Sequence, residues 1–451
     1  MSQKLFRDPL YDYISIDTNK YPWLLDLINT PEVQRLRYIS QLGLSHSTYL
    51  GAVHSRLSHS MGVFHLIEMW LAYLERERDY STYFEDGDGD KDALLAAALL
   101  HDVGHGPFSH ATETFFGEHE VRSVNIILDP ESSVNKVLTN TNSELPGRVA
   151  GLIAKRLPEG AVQPRLWQKA LISSQLDADR LDFLRRDSLF SGAEYGNFDW
   201  YRIIHTTHLR KPQENPQKID FFWPDKTKYA IEEYLFSRFY MYQGVYFHHT
   251  TRGFEKVLQK ILKRAKLLAE SKNFAKQIRP SLRGFFKPDS TVSSAKFLAL
   301  TDYALLAQIA EWRQAKDNIL RDLVDVFFAR KDKFGFKVVG EFDESIHGLK
   351  ESEKILKKAA AAGDFLRKKG LDPEYYLLTD DFNVGVYKPY SPEREWQQMT
   401  SENAIRIADS SGNPVEITKI LNRLELMVKE PHIVRRYYCP YEHREKISAL
   451  L

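Results

Sequence analysis

Three histidines and an aspartate lie close together in residues 101–110 of this chain. His101 and Asp102 are adjacent, and His105 and His110 follow them. Burying a carboxylate beside an imidazole is costly unless something pairs with both groups, and a divalent cation would do so. A lone buried histidine is usually a hydrogen-bonded core residue, but that explanation is weaker for a contiguous His-Asp pair that two more imidazoles follow.

The neighbouring segments are expected to place this cluster at a helix end. Residues 93–100 are almost wholly apolar, which predicts a buried helix, and Gly104 lies in the turn that ends it. Upstream, Arg56 and His59 are three residues apart at the start of another amphipathic pattern, so they share a helical face. Arg56 and His59 are therefore predicted to project from the same side of that helix.

A charge-rich segment, residues 177–187, supplies carboxylates from a distant part of the chain. If it is helical, Asp179, Phe183 and Asp187 lie at four-residue steps along one stripe. The residues alone leave two interpretations open. The segment is either a solvated helix held by surface ion pairs or the source of a further carboxylate ligand for a metal ion.

A helix start is predicted at Thr30, because Thr is a good N-cap and Pro31 suits the first helical position. Apolar residues at helical spacing continue the pattern until Gly43. The polar residues expected on this helix are Gln34, Arg35, Arg37 and Gln41. A solvated helix face is the plain interpretation of these four residues.

Composition narrows the functional classes. The chain has 451 residues, and its 62 lysines and arginines almost balance 61 aspartates and glutamates, so no basic field indicates nucleic acid. The single cysteine, Cys439, excludes an intramolecular disulfide framework. Neither a signal-peptide pattern nor a membrane-length apolar run occurs in the sequence. We therefore expect a cytoplasmic protein that has no membrane association.

The pattern of apolar and polar residues changes near residue 330. Before it, helical patterns dominate, which predicts a mainly α fold. After it, residues 336–342, 375–387 and 404–417 alternate like strands, and residues 348–370 form a lysine-rich amphipathic helical pattern. We expect a helical core over residues 1–330 and a smaller α+β domain of unknown role over residues 331–451.

The ordered set His59, His101, Asp102 and Asp179 resembles the H…HD…D signature of HD-domain metal-dependent phosphohydrolases. The similarity extends to residues 34–43, 56–63, 101–110 and 177–187, which match the deoxynucleoside triphosphate triphosphohydrolase branch in kind and order. It covers about residues 1–270 and implies a helical HD core. By this resemblance the four residues ligate a divalent metal. The mixed donor set suits Mn, Fe, Co, Ni or Zn, with Mg also compatible.

The resemblance also implies roles around that metal. His105, His110, Glu113 and His119 match the family's catalytic imidazole cluster, in which Glu113 replaces an orienting aspartate. A histidine held by a carboxylate can protonate the departing 5′ oxygen or position the attacking water, and His110 and His119 are the favoured candidates.

Substrate and effector sites are implied in the same way. The family's cations near the phosphates are matched by Arg56, Arg180 and Arg238. The residues that hold the sugar 3′-hydroxyl are matched by Gln41 and Asp187. Tyr246 matches a tyrosine against the sugar 2′ edge, and Phe183 replaces a substrate-contacting tyrosine. Lys4, Asn29, Gln34 and Arg37 match a nucleotide effector site between subunits, with Asn29 in place of an aspartate. A homo-oligomer, either a dimer or a tetramer, would follow from such a shared site.

Two other functions remain open. One is another HD phosphoesterase, acting on nucleoside monophosphates, cyclic nucleotides or single-stranded nucleic acid, which would not need Arg56, Arg180 and Arg238. The other is a nucleotide-sensing binding protein with a vestigial centre. The intact metal and imidazole residues argue against that interpretation.

Overall fold

The computed structural model describes residues 3–76, 88–210, 220–287, 293–328, 335–383, 387, 404–424 and 433–451. Most of these residues are helical and the strands pair in small antiparallel sheets, which confirms the predicted mainly α fold. None of the helices within these ranges combines the length and the apolarity needed to cross a membrane.

A two-stranded hairpin precedes the first helices. Strands β1 (Gln3–Asp8) and β2 (Asp12–Asp17) pair antiparallel. The helices that follow, in chain order, are α1 (Pro22–Ile28), α2 (Pro31–Gln34), α3 (Arg56–Arg76), α4 (Asp88–Leu100), α5 (Glu113–Phe116), α6 (His119–Leu128), α7 (Ser133–Thr141) and α8 (Leu145–Ile153).

The middle of the described chain continues with helices and one further short strand pair. These helices are α9 (Leu166–Ile172), α10 (Ala178–Ser191), α11 (Trp200–Ile204), α12 (Lys228–Met241), α13 (His249–Leu268), α14 (Lys272–Ala275), α15 (Pro280–Arg283), α16 (Ser294–Phe297), α17 (Asp302–Glu311) and α18 (Asn318–Phe328). The strands are β3 (His208–Arg210) and β4 (Asp220–Phe222), which pair antiparallel. A π-helical turn, Tyr242–Tyr246, joins α12 to α13.

The predicted buried helix forms as α4. Its residues 93–100 are almost completely buried, because α4 packs against both α3 and α8. α3 also packs against α10. The HD motif therefore follows directly from a helix that the core holds on several sides.

The helix predicted from Thr30 is shorter than expected. The Thr30 hydroxyl accepts from the Val33 N–H as an N-cap (3.5 Å), but α2 ends at Gln34 and a 3₁₀ turn, Arg35–Tyr38, follows. Gln41 lies beyond this turn. The expectation that one helix reaches Gly43 is therefore wrong, because the backbone changes from an α-helix to a 3₁₀ turn at Arg35 and that turn ends at Tyr38.

Arg35 is buried, which corrects its expected place on a solvated face. Its guanidinium donates to the carbonyl oxygens of Leu300 (2.6 Å), Val103 (3.1 Å) and His105 (2.5 Å). Arg35 thus satisfies backbone groups of the turn that follows the HD motif, and it fixes that turn against the rest of the core.

The last part of the described chain is an α+β region, as predicted. Its elements are β5 (Phe336–Asp343), α19 (Glu344–Lys368), α20 (Pro373–Tyr376), β6 (Leu378–Asn383), β7 (Arg406–Ala408), β8 (Pro414–Glu416), β9 (Ile433–Pro440) and α21 (Arg444–Ser448). Strand β9 lies between β5 and β6 in one antiparallel sheet, which packs against α13. The boundary predicted near residue 330 falls at residues 329–334, outside the described residues, and stays a prediction.

Candidate active site

The four predicted metal ligands converge from three elements. His59 lies in the first turn of α3, His101 and Asp102 follow α4, and Asp179 lies in the first turn of α10. The Nε2 atom of His59 is 3.2 Å from Nε2 of His101, 3.0 Å from Oδ1 of Asp179 and 3.7 Å from Oδ2 of Asp102. His59, His101 and Asp102 therefore form one group whose ligand atoms lie within 4.8 Å of one another, and Asp179 lies beside that group, next to the two histidines.

This donor set fits a divalent metal ion. Ligand atoms about 2.1 Å from an ion lie about 3.0–3.4 Å apart at ordinary coordination angles, close to the separations found here. Nδ1 of His101 is 2.9 Å from the Ala98 carbonyl oxygen and Nδ1 of His59 is 2.8 Å from Oδ1 of Asp182. These acceptors keep the proton on Nδ1 of each ring, which leaves each Nε2 available to a metal.

The electrostatics of the ligands favour a cation at this point. Burial alone would lower the pKa of His59, but the carboxylates of Asp179 and Asp182 raise that pKa to about 10. Burial would raise the pKa of Asp102, yet the Arg56 guanidinium and the neighbouring imidazoles hold it well below its usual range. The buried carboxylates of Asp102 and Asp182 thus stay ionised. A bound metal ion would take the place of the proton on His59.

Arg56 connects the predicted metal ligands to the next loop. Its Nη1 donates to Oδ2 of Asp102 (2.5 Å), its Nε to the Ser109 hydroxyl (2.7 Å) and its Nη2 to the Gln41 carbonyl oxygen (3.4 Å). Because Arg56 is only 4% exposed, these contacts fix the position of its guanidinium. Arg56, the predicted phosphate-binding residue, therefore lies directly beside the predicted metal ligands, and it also contacts the backbone of Gln41, which is predicted to hold the sugar 3′-hydroxyl.

The predicted imidazole cluster also forms. Glu113 accepts a hydrogen bond from Nδ1 of His119, and its carboxylate oxygen lies 3.2 Å from Nδ1 of His110, while the His105 and His119 rings stack 3.8 Å apart. The His110 side chain is 66% exposed, whereas His105 is buried. Nε2 of His105 lies 3.3 Å from Oδ1 of Asp102, which joins this cluster to the metal ligands.

The charge states within this cluster differ. Burial, Arg56 and His119 lower the pKa of His105 well below its usual value, so this ring is neutral. Burial opposes ionisation of Glu113, but its hydrogen bonds with His110 and His119 hold its pKa far below the usual range. Glu113 is therefore a carboxylate, which can orient a neighbouring imidazole for proton transfer.

The predicted sugar-binding residues form a second group beside the metal ligands. The Tyr246 hydroxyl donates to Oδ2 of Asp187 (2.9 Å), and Nε2 of His54 lies 2.7 Å from the other carboxylate oxygen. The Phe183 ring packs edge-on against His59 (6.4 Å between centroids) and Tyr246 (6.1 Å). Phe183 thus connects the metal ligands with Asp187 and Tyr246.

The two remaining predicted phosphate ligands are held by residues just before α10. Arg180 pairs with Asp177, and Nη1 of Arg238 donates to the Gln175 side-chain oxygen (3.0 Å). Arg238 also lies over the Tyr242 ring, 5.8 Å from its centroid. Both cations are therefore positioned by short polar contacts from residues 175–177.

The predicted effector residues are brought together only in part. Gln34 donates to the Ile28 carbonyl oxygen (2.8 Å) and accepts from Nε of Arg37 (2.8 Å), so both lie at the turn that carries Asn29. Lys4 lies on β1, where its ammonium is 6.0 Å from the Phe6 ring centroid.

Sequence reasoning missed three site residues. Asp182 contacts His59, His54 contacts Asp187, and Ser109 accepts from Arg56. Asp182 lies three residues after Asp179 on the same helix, so helical spacing could have indicated it. His54 and Ser109 gave no comparable signal, because only the tertiary fold brings them to their partners.

The comparisons with known proteins agree with this geometry. Residues 56–169 match the HD domain family. Protein YwfO of Bacillus subtilis, described as uncharacterized, is 36% identical over 400 residues, which cover 88% of this chain and 84% of that protein. The chain belongs to the HD-domain phosphohydrolase family.

This HD-domain protein is also similar to a solved phosphohydrolase structure and to a curated vertebrate enzyme. The crystal structure of a phosphohydrolase (BT4208) from Bacteroides thetaiotaomicron has a TM-score of 0.68 and 26% identity, and the match covers 97% of this chain and 99% of that one. The deoxynucleoside triphosphate triphosphohydrolase SAMHD1 of Danio rerio is 25% identical over 412 residues, covering 85% of this chain and 62% of that protein. The HD-domain protein is therefore a phosphohydrolase with residues able to hold a divalent metal.

Proposed function

We propose that this chain hydrolyses deoxynucleoside triphosphates to the deoxynucleoside and inorganic triphosphate. The observation that carries the proposal is the pair Asp187 and Tyr246, hydrogen-bonded at 2.9 Å and joined to metal ligand His59 through the Phe183 ring. This arrangement would hold a sugar beside the metal-bound phosphate. The zebrafish relative named as a deoxynucleoside triphosphate triphosphohydrolase supports the same substrate class.

The sugar side supports a preference for deoxyribose. A carboxylate such as Asp187 accepts from a hydroxyl, and Gln41 has a buried side-chain oxygen that lacks a partner among the described residues. Both could bind the 3′-hydroxyl. The Tyr246 ring would lie against the 2′ edge of the sugar, where an added hydroxyl would collide with it.

The phosphate side is served by Arg56, Arg180 and Arg238. A triphosphate carries several negative charges, and guanidinium groups bind phosphate oxygens through two donors at once. Arg56 would contact the phosphate at the metal, and Arg180 and Arg238 the phosphates farther from the sugar. A monophosphate substrate would not need all three.

His59, His101, Asp102 and Asp179 would hold the metal ion. When bound, such an ion polarises a phosphoryl oxygen and lowers the pKa of a coordinated water. We infer Mn, Fe, Co, Ni or Zn from the mixed donor set, with Mg also compatible. Water attacks the α-phosphorus, and the bond from that phosphorus to the 5′ oxygen breaks.

The imidazole cluster completes the reaction by supplying a proton. His119 or His110, oriented by the Glu113 carboxylate, donates a proton to the departing 5′ oxygen. The exposed His110 can then exchange protons with solvent. Lys4, Asn29, Gln34 and Arg37 would bind a nucleotide effector, and such a site would suit a homo-oligomer.

A phosphorus NMR assay tests this proposal. Each deoxynucleoside and ribonucleoside triphosphate is incubated with the protein and Mn²⁺, alone and then in mixtures. We expect inorganic triphosphate from deoxynucleotides, and turnover confined to mixtures would support the effector site. Orthophosphate or pyrophosphate as the first product would contradict the proposal and favour another HD phosphoesterase.

A variant pair sharpens that assay. Arg238→Ala should lower deoxynucleoside triphosphate turnover strongly, whereas Arg279→Ala should not, because Arg279 is a 42% exposed cation paired with Glu311. Equal turnover by the two variants would remove Arg238 from the triphosphate site.

A further inference from the structure

A buried chain of polar contacts leads away from metal ligand His59. Oδ1 of Asp182 lies 2.8 Å from Nδ1 of His59 and also accepts from Nε of Arg186 at 2.8 Å. Nη2 of Arg186 donates to the other Asp182 oxygen at 3.0 Å. The Asp182 carboxylate is thus held by the guanidinium on one side while it orients the imidazole on the other.

The chain continues to the N-terminal hairpin. Nη1 of Arg186 donates to Oδ2 of Asp8 at 2.8 Å, and Asp8 is the last residue of β1. Oδ1 of Asp8 accepts from the backbone N–H groups of Leu10 (2.9 Å) and Tyr11 (3.1 Å). The hairpin turn therefore fixes the Asp8 carboxylate, which in turn fixes Arg186.

Solvent has almost no access to this chain of polar contacts. The side chains of Arg186 and Asp182 are 0% exposed, and that of Asp8 is 5% exposed. Removing one guanidinium and two carboxylates from water is expensive, and such groups often contribute little net stability. Their geometry is nevertheless well defined, because every contact is charge-assisted and the guanidinium fork is planar.

Helix α3 leaves room for this chain at a single glycine. A Cβ atom at Gly62 would lie 1.8 Å from Oδ2 of Asp182 and 2.5 Å from Nη2 of Arg186. Gly62 is three residues after His59 on α3. The helix that carries the metal ligand therefore packs directly on the two residues that orient it.

We propose that the N-terminal hairpin is a part of the metal centre, because Asp8 positions Arg186, Arg186 positions Asp182, and Asp182 orients the His59 imidazole toward the metal. Asp8, Arg186 and Asp182 are positioning residues. The inference rests on the metal site given under the proposed function. It adds to that site a segment about fifty residues before the first ligand.

Cobalt binding tests the proposal without any activity measurement. Metal-free full-length protein is titrated with Co²⁺ against a chelator, and the visible spectrum of the bound ion is recorded. The variants are Asp182→Asn and Asp8→Asn, which keep side-chain volume. The matched control is Asp380→Asn. Asp380 lies on β6, and its side chain is also a 0% exposed carboxylate that pairs with Arg252 and Lys256.

The expected loss of Co²⁺ affinity becomes smaller with each contact between the substituted residue and His59. Partners that orient metal-bound histidines typically contribute 10–100-fold to metal affinity, so we expect a loss of roughly that size for Asp182→Asn. For Asp8→Asn we expect a loss of about three- to tenfold, because it acts through one more residue. Both variants should shift the Co²⁺ spectrum. Asp380→Asn should bind Co²⁺ as the wild type does.

Other outcomes would overturn the proposal. If Asp8→Asn lowers the melting temperature but keeps wild-type Co²⁺ affinity and spectrum, the chain only anchors the hairpin. An equal loss in Asp380→Asn would show general destabilisation instead of positioning. Should Asp8→Asn not fold, Asp8→Glu retains the charge but moves the carboxylate by one methylene, and unchanged Co²⁺ binding in that variant refutes the proposal.

Failure of the underlying metal site is distinguishable. His101→Ala should lose Co²⁺ binding altogether, because it removes a ligand. Retained stoichiometric binding in His101→Ala would refute the metal site itself, whatever Asp8→Asn shows.

Discussion

His101 and Asp102 are the residues whose chemistry is clearest from the sequence, and the structure places both beside His59. We predict that His101→Ala or Asp102→Ala abolishes metal binding and turnover while the protein remains folded, because each removes one ligand of a four-residue site. Elemental analysis and circular dichroism measure the two properties. His205→Ala, at the end of α11, is the control and should keep its metal. Hydrolysis by metal-free His101→Ala would contradict the assignment.

Tyr246 is predicted to exclude ribonucleotides by its bulk. Tyr246→Ala should raise the kcat/KM for ribonucleotides relative to deoxynucleotides, because space opens at the sugar 2′ edge. Tyr246→Phe keeps the ring but loses the hydrogen bond to Asp187, so it should retain the discrimination. The ratio of kcat/KM values for paired substrates is the measurement, and an unchanged ratio in Tyr246→Ala would eliminate the steric filter.

Glu113 is predicted to support proton transfer without contributing to metal binding. Glu113→Gln should lower kcat by roughly 10²–10⁴-fold, the usual contribution of general acid–base groups, because the amide cannot hold the imidazoles as the carboxylate does. Metal content should not change, since Glu113 contacts His110 and His119 and not the four ligands. A parallel loss of metal would show that Glu113 supports the metal site instead.

The resemblance to the HD-domain signature was what named the four candidate metal ligands; residue types and spacing alone pointed only to the adjacent His101 and Asp102 and to a further carboxylate from residues 177–187. The contacts of Asp182 and His54 were not predicted. Each depends on a partner more than 100 positions away along the chain. Helical spacing from Asp179 could have indicated Asp182, whereas no local pattern indicates the contact of His54.

At the scale of elements, the helix ending at Leu100 was predictable because its apolar run is continuous and a glycine-rich turn follows. The segment after Thr30 was not, since a 3₁₀ turn and an α-helix share the same apolar spacing over one or two turns. The α10 segment resolves an open alternative. Its Asp182, Arg186 and Asp187 are buried, so it is not a solvated ion-pair helix.

Gly104 sets the approach of α6 to the HD turn. A Cβ atom there would lie 2.2 Å from the His119 carbonyl oxygen and 2.3 Å from the Ser123 nitrogen. Gly104→Ala should therefore destabilise the protein by about 1–3 kcal/mol, as overpacking usually does, and should lower kcat by displacing His119. Thermal melts and steady-state kinetics measure both effects.

Gly335→Ala is the control for this prediction, since nothing lies within 4 Å of a Cβ atom at Gly335. If Gly104→Ala melts and turns over like Gly335→Ala, the close packing of α6 against the HD turn does not matter for the site.

At the scale of the whole molecule, the hydrophobic core runs without a break from the HD helices into the C-terminal sheet. Helix α13 packs against β5 and β6, and a Cβ atom at Gly253 would lie only 3.1 Å from the Tyr438 ring. We predict a single cooperative transition in calorimetric unfolding, because neither region can expose this interface cheaply. Two separate transitions would instead favour independent units divided near residue 330.

Hydrolysis in ¹⁸O-labelled water tests the central claim most directly. The wild-type protein is incubated with Mn²⁺ and a deoxynucleoside triphosphate in the labelled water, and both products are analysed by mass spectrometry. Attack of water on the α-phosphorus predicts ¹⁸O in inorganic triphosphate and none in the deoxynucleoside. Label in the deoxynucleoside 5′-hydroxyl, or in orthophosphate or pyrophosphate as the first product, would contradict the proposed reaction.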